Sequence, residues 1–302
     1  MPKSQTSKPL DNLKNSLDDR ILYPWQYLEY LGEDDRTFIE KSEGIYLFDK
    51  TGRKLIDGPG GMWNVNVGHG VKEIADAVYA QIRSMPYASP FTESTEIAYN
   101  YASRLVKYAP GDLKRVFFTS GGSAAVDSAL RFVMFYNNVR GLRDKKQIIS
   151  RHDAYHGSTY LGASCSGKER DKNNFDFAND IVHHLSSPNP FRKPDDMSDE
   201  DFCDLKVKEL EDKIIELGPE KVAAFIAEPI LASGGVIVPP KGYQKKTLEV
   251  CRKYDVIYIS DEIVTGFGRL GHIFASENYF DIQPDIILLA KGITSGYVPC
   301  GA

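Results

Sequence analysis

The chain has 302 residues, enough for one large or two ordinary domains, and its 42% hydrophobic and 26% charged residues are ordinary for a globular protein. A net charge of −5 offers no basic field for nucleic acid, and no apolar run approaches membrane-spanning length, so neither partner is expected. The start, MPKSQTSKPLDNLKNSLDDR, has no apolar core of a signal peptide, and Cys165, Cys203, Cys251 and Cys300 form no C-x-x-C pair, which together read as reduced thiols in a cytoplasmic protein.

Residues 1–20 are polar and read as loose. The segment Ile21–Leu31 is dense in aromatics, Trp25 among them, and reads either as a core-packed turn or as the lining of a pocket. Gly44–Asp49 and Lys54–Asp57 read as two strands of a hairpin that turns at Lys50–Arg53. Gly58–Gly70 (GPGGMWNVNVGHG) sets glycines around Trp63, a composition that permits positive φ and close approach of backbone to a ligand; a loop tryptophan packed for stability is the alternative. Val71–Ser84 reads as a helix that ends before Pro86. The loop Tyr87–Thr92 carries Phe91, and Thr92 suits the cap of a helix with Ala98, Tyr101, Ala102 and Leu105 on one face.

Arg115–Thr119 (RVFFT) reads as a strand that runs into Ser120-Gly121-Gly122-Ser123 and then a helix with Val126, Ala129, Leu130 and Val133 on one face. Strand, glycine turn and helix start make an anion site, because free backbone N–H groups and the helix dipole face the ligand. A strand within Lys146–Arg151 leads to Asp153–Thr159 (DAYHGST), where His156 reads as a structural residue of the turn or as a general base. Ser198, with Asp201 three residues on, signals the start of a helix that places Val207, Leu210, Ile214 and Leu217 on one face. Val222–Ala227 reads as a buried strand ending at Glu228, which is either a support of an active site or a loop anchor; Tyr243–Tyr254 reads as a helix.

Two apolar runs close the pattern. Val256–Ile259 leads into Asp261 and Glu262, and Ile286–Leu289 leads into Lys291. Runs this short read as strands buried on both faces, and strands alternating with helices imply an α/β fold with a mostly parallel sheet. Ligands of such sheets bind at the carboxyl ends of the strands. An acid and a lysine at that edge suit pyridoxal phosphate chemistry: a lysine amine condenses with an aldehyde to a Schiff base, and an Asp keeps the pyridine nitrogen protonated so that the ring accepts electrons.

The runs SDEIVTGFGRLG and LLAKGITSGYVP resemble the class III aminotransferases, of the ω-amine or ω-amino acid:pyruvate type, a branch of the fold-type I pyridoxal phosphate enzymes. Further motifs in the family's order extend the resemblance over roughly residues 20–302. It implies that Asp261 pairs with the pyridine nitrogen, that Lys291 carries the Schiff base and that Tyr155 stacks on the ring. Gly121, Gly122, Ser123, His156, Glu228 and Ile263 would complete the cofactor site, while Trp25, Trp63, Phe91 and Tyr155 would face substrate, Phe91 from a loop that reaches the partner subunit. The turn departs from the family's S-G-S-E-A: here it is Gly121-Gly122-Ser123-Ala124-Ala125, which keeps the backbone donors and loses one hydroxyl and an acid.

The resemblance further implies residues 1–70 as an N-terminal segment that contributes to a small domain and the site edge. Residues 71–302 would be an incomplete cofactor-binding large domain, with the C-terminal small domain beyond Ala302 and the full-length form a homodimer. The implied activity is a ping-pong transfer of an amino group from an ω-amine or ω-amino acid to a keto acid, pyruvate. Aminomutase or decarboxylase chemistry on the same motifs, or an inactive cofactor-binding fragment, are the alternatives.

Overall fold

The computed structural model describes residues 21–24 and 36–302, so Trp25 lies outside the described residues. The chain divides into two compact units, Met1–Ile56 and Asp57–Ala302. The first holds an antiparallel sheet of β1 (Ile39–Glu43), β2 (Tyr46–Asp49) and β3 (Lys54–Ile56) in that order. Asp49 closes the β2–β3 hairpin: its Oδ1 accepts from Thr51 N and Arg53 N, both at 2.9 Å, and its Oδ2 from Arg53 Nε at 3.0 Å. The Thr51 hydroxyl, which also donates to Oδ1 at 2.6 Å, is the first cause that holds the Asp49 carboxyl below its ordinary range, and those bonds add to it. The hairpin matches the sequence reading; β1 does not appear in it, because IEKSE has no apolar alternation to announce a strand.

The second unit carries eight helices in chain order: α1 (Gly60–Trp63), α2 (Lys72–Ser84), α3 (Glu96–Tyr108), α4 (Gly122–Val139), α5 (Tyr160–Cys165), α6 (Asp199–Leu217), α7 (Tyr243–Lys253) and α8 (Ala275–Phe280). Its sheet is formed by β4 (Gln147–Arg151), β5 (Val182–Leu185), β6 (Val222–Ala227), β7 (Ile257–Asp261) and β8 (Ile286–Leu288). The spatial order is β5-β4-β6-β7-β8 and every pairing is parallel. Among the described residues, no helix is long and apolar enough to cross a membrane.

Successive strand residues point to opposite faces, and both faces are covered. Ile148, Ala224, Ile226 and Ile259 pack with Val126, Ala129, Leu130 and Val133 of α4. Ile149, Phe225, Ala227 and Tyr258 pack on the other face with Leu210 and Ile214 of α6 and Cys251 of α7. Each Leu or Ile taken wholly out of water contributes about 1.5–3 kcal/mol, so these two layers fix the register of the strands and hence the position of their carboxyl ends.

Two local expectations are corrected, and one strand was not read from the sequence. The cap of α3 is Thr95, which accepts from Ala98 N at 3.3 Å, whereas Thr92 lies in the preceding turn and its hydroxyl goes to Glu93. The run RVFFT is no ladder strand: among the described residues its backbone finds one antiparallel bridge, Thr119 with Gly301. β5, by contrast, is a strand in spite of the two histidines in VHHL, since pairing with β4 satisfies its backbone. Ser198 caps α6 as read, accepting from Asp201 N at 3.0 Å.

Leu130 is 1% exposed within the α4 layer. Leu130→Ala is expected to lower the unfolding free energy by about 2–5 kcal/mol in urea titration. Lys208→Ala, in an exposed pair with Asp212, is expected to stay within about 0.5 kcal/mol of the parent.

Candidate functional site

Four neighbouring strands deliver chemistry at the same edge of the sheet. β4 ends in Arg151 and turns into Tyr155 and His156; β6 ends before Glu228; β7 ends on Asp261; β8 leads to Lys291. The β5-β4-β6 order makes this a switch point of the topology, the place where open α/β sheets bind ligands.

Asp261 is 3% exposed. Its Oδ2 lies 2.7 Å from His156 Nδ1, and its Oδ1 accepts from Ile263 N at 3.1 Å. An ionised carboxylate can only accept, so Nδ1 carries the proton. His156 is in turn held by its own backbone N–H, which donates to Ser166 Oγ at 2.8 Å, while its buried Nε2 has no partner among the described residues. Glu228 accepts from Tyr155 N at 2.9 Å and from Ala232 N at 3.0 Å, bracing the turn that presents the Tyr155 ring. Burial pushes the Glu228 carboxyl up, His156 opposes that shift and the charge of Asp261 adds to it.

The neighbouring acid has a different task. Glu262 is fully buried and accepts from Ala275 N at 2.6 Å, Ser276 N at 2.8 Å and Ser276 Oγ at 2.6 Å, so it caps the start of α8. The two carboxylates that stand together in the sequence therefore diverge: Asp261 belongs to the site and Glu262 to the scaffold.

Lys291 follows an extended Ala290 and sits at φ +51°, a left-handed conformation that costs a non-glycine residue on the order of 1–3 kcal/mol. Among the described residues, no hydrogen bond or ion pair engages its Nζ. Burial lowers the pKa of the amine, and the charges of Asp261 and Glu228 act against that shift. The lysine thus shares its field with both buried carboxylates.

The first turn of α4 completes the edge. Ala125 N bonds to Gly121 O, which leaves the N–H groups of Gly122, Ser123 and Ala124 without an intrahelical acceptor. Ser123 Oγ accepts from Ser158 N at 3.0 Å, and Thr159 Oγ1 donates to Asp127 Oδ1 at 2.9 Å, tying this turn to the Tyr155 loop. A Cβ on Gly122 would stand 2.9 Å from Ile263 Cδ1, and one on Gly157 would stand 2.6 Å from Ser123 Oγ. At Gly157, where φ is +111° and a Cβ would also stand 2.9 Å from Ser123 Cα, only glycine lets the loop and the helix start meet this closely.

The structure therefore brings together Gly121, Gly122, Ser123, Tyr155, His156, Glu228, Asp261, Ile263 and Lys291. Trp63 is half-buried at φ +59°, in a loop bonded to the segment after Lys291. Phe91, by contrast, is 93% exposed. Sequence reading missed Arg151, which is fully buried and donates through Nη2 to Glu228 O at 2.6 Å. A charged residue closing the apolar run QIIS was the available signal.

A lysine is half neutral at its pKa, so a lowered pKa gives a free amine at a pH below the ordinary value of about 10.4. Competitive acylation followed by peptide mass spectrometry is expected to give Lys291 a midpoint below that of exposed lysines. Asp261→Asn should lower it further, since the carboxylate favours the charged amine. A midpoint at or above the exposed lysines would contradict this arrangement.

The family model for aminotransferase class-III matches residues 31–302. The putrescine–pyruvate aminotransferase of Pseudomonas aeruginosa is 40% identical over 284 residues, which is 94% of this chain and 62% of that protein. The mitochondrial gamma-aminobutyrate transaminase 1 of Oryza sativa subsp. indica is 40% identical over 268 residues, 87% of this chain and 52% of that protein. Among solved structures, the omega transaminase from Pseudomonas jessenii in complex with PMP superposes with a TM-score of 0.91 at 37% identity, covering 95% of this chain and 64% of the other. The chain thus spans between about half and two thirds of the length of these relatives.

Proposed function

Because this chain belongs to the class III aminotransferases, we propose that it takes part in moving an amino group from an ω-amine or ω-amino acid to a keto acid, with pyruvate as acceptor, in two half-reactions. The observation that carries this reading is the convergence of the buried Asp261–His156 pair and Lys291 at the ends of adjacent strands β7 and β8. Pyruvate and the ω-amine are drawn from the names of the similar putrescine–pyruvate aminotransferase and omega transaminase.

Class III aminotransferases use pyridoxal 5'-phosphate, which supplies an aldehyde carbon and an electron-accepting ring. The residues present fit it. Asp261 would hold a proton on the ring nitrogen, with His156 keeping the carboxylate aimed. The three acceptor-free amides at the start of α4 and the Ser123 hydroxyl suit a phosphate. Tyr155, braced by Glu228, offers a ring face. Lys291 would hold the aldehyde carbon; once the donor amine has taken its place there, the freed Nζ would carry the proton from the donor's amine-bearing carbon to that former aldehyde carbon, as general base and then acid.

We extend the proposal to the assembly and its compartment. α2 buries none of its residues in the chain, and Tyr79, Ile82, Ile97 and Tyr99 of α2 and α3 are exposed, with Phe91 on the loop between them. Apolar surface of this extent supports a second copy of the chain as its cover, and a Phe91 that reaches that copy's site. Four free cysteines, three of them buried, support a reducing, cytoplasmic compartment. The division into residues 1–70, joined to a small domain, and 71–302 as the large domain belongs to the same proposal.

Two outcomes check it. Borohydride reduction of the protein with pyridoxal phosphate should mark Lys291; in Asp261→Asn the mark should persist while the half-reaction with an ω-amine slows roughly 100-fold or more, the scale of losing one partner of a buried charge pair. A mark on another lysine, or a near-parental rate in the variant, would end the reading. Sedimentation equilibrium at micromolar concentration should return twice the chain mass, and Ile82→Asp should halve it; a monomeric parent would refute the dimer.

A further inference from the structure

Four non-glycine residues around one small region of the second unit are left-handed: Trp63 at φ +59°, Phe267 at φ +57°, Lys291 at φ +51° and Ser295 at φ +52°. Such residues persist only where the surroundings over-determine them, and they gather at functional sites. What surrounds them here is the loop after Trp63. Asn66 Nδ2 donates to Phe267 O at 3.0 Å, and Arg269 Nη2 donates to Asn66 Oδ1 at 2.8 Å. Val67 N donates to Ser295 Oγ at 3.0 Å. Tyr297 OH donates to Gly68 O and accepts from Val71 N, both at 2.8 Å.

The packing is as close as the bonding. A Cβ on Gly292 would lie 2.5 Å from Asn66 Nδ2 and 2.8 Å from Phe267 Cβ, and one on Gly296 would lie 2.7 Å from Asn64 Nδ2. The two asparagines therefore rest directly on the backbone that follows Lys291. The loop itself is anchored behind them: Asp57 accepts from Gly61 N and pairs with His69 Nε2 at 2.8 Å.

We propose that Asn66, seated on Gly292 and bonded to Phe267 and Arg269, is a positioning residue that with Ser295 clasps the Lys291 turn and ties it to the Trp63 loop. This rests on the reading of Lys291 as the residue that holds the cofactor. The clasp keeps the lysine in its left-handed conformation, so that its half-buried amine stays within the field of Asp261 and Glu228. It also makes movement of the Trp63 loop and placement of the lysine one event, so an occupant that shifts the loop moves the amine.

The test uses two readouts on the parent, Asn66→Ala, Ser295→Ala and Asn137→Ala. Asn137 is a buried residue that donates to Lys145 O, outside the clasp and the site, and serves as the control for plain loss of stability. The first readout is the pH profile of Lys291 acylation without cofactor. The second is the rate at which Lys291 takes up pyridoxal phosphate, trapped by borohydride. Asn66→Ala and Ser295→Ala are expected to move the acylation midpoint up toward that of exposed lysines and to slow uptake about 10- to 100-fold, the scale of a small misplacement of a reacting group. Asn137→Ala is expected to lose stability with neither change. Parental midpoint and uptake in Asn66→Ala, or equal shifts in Asn137→Ala, would overturn the clasp. A parent whose Lys291 takes up no pyridoxal phosphate, yet whose acylation midpoint still responds to Asn66→Ala, would fail the functional reading and leave the clasp standing.

Discussion

Asp261 ends a central strand with its carboxylate out of water, matched by one imidazole N–H and one backbone amide. A buried charge is costly unless it is paired and hydrogen-bonded, and removing one partner of such a pair leaves the other charge uncompensated. Much of the neighbourhood follows from that constraint. His156 must reach Oδ2, so the turn after β4 must be held; Glu228 holds it through Tyr155 N, and Arg151 fixes the Glu228 backbone in turn. Lys291 then enters a field set by two buried carboxylates, with burial pushing its amine toward the neutral form and the carboxylates restraining that shift.

Closeness is the second constraint. The α4 start, the Tyr155 loop and the turn after β8 converge from different parts of the chain, and each contact point is a residue without a side chain: Gly122 against Ile263, Gly157 against Ser123, Gly292 against Asn66. Larger residues would open the edge that the strand ends define. The sheet keeps those ends in register because α4 covers one face and α6 and α7 the other. The energy that fixes the fold and the placement of the reactive groups thus come from the same strands, read at their middles and at their tips.

Those middles were legible in the sequence. VAAFIA and the runs before Asp261 and Lys291 are short, apolar and bounded by polar turns, and each is a parallel strand. Strand ends are where such a sheet binds ligands, and the resemblance of the surrounding motifs to the class III family named Asp261 and Lys291 there. RVFFT had the same apolar density but only a bridge for a partner, which no local pattern reveals. Thr95 displaced Thr92 as a cap because capping depends on where the first turn begins, and two threonines three residues apart offer equal propensity. The sequence set Asp261 and Glu262 side by side with no sign of their different tasks, which depend on α8 offering its amides to Glu262. Arg151 and Asn66 act through contacts made 77 and 201 residues away along the chain, and sequence spacing carries no trace of them.

The claim on which the account rests is that one edge of the sheet holds a protonated ring nitrogen, a phosphate and an aldehyde carbon at once. A crystal structure of the protein grown with pyridoxal 5'-phosphate measures this most directly. The account predicts the pyridine nitrogen in hydrogen-bond contact with Asp261, the phosphate on the backbone amides of Gly122–Ala124, and continuous density from the aldehyde carbon to Lys291 Nζ. Density joined to a different lysine, or a phosphate bound away from the start of α4, would contradict it.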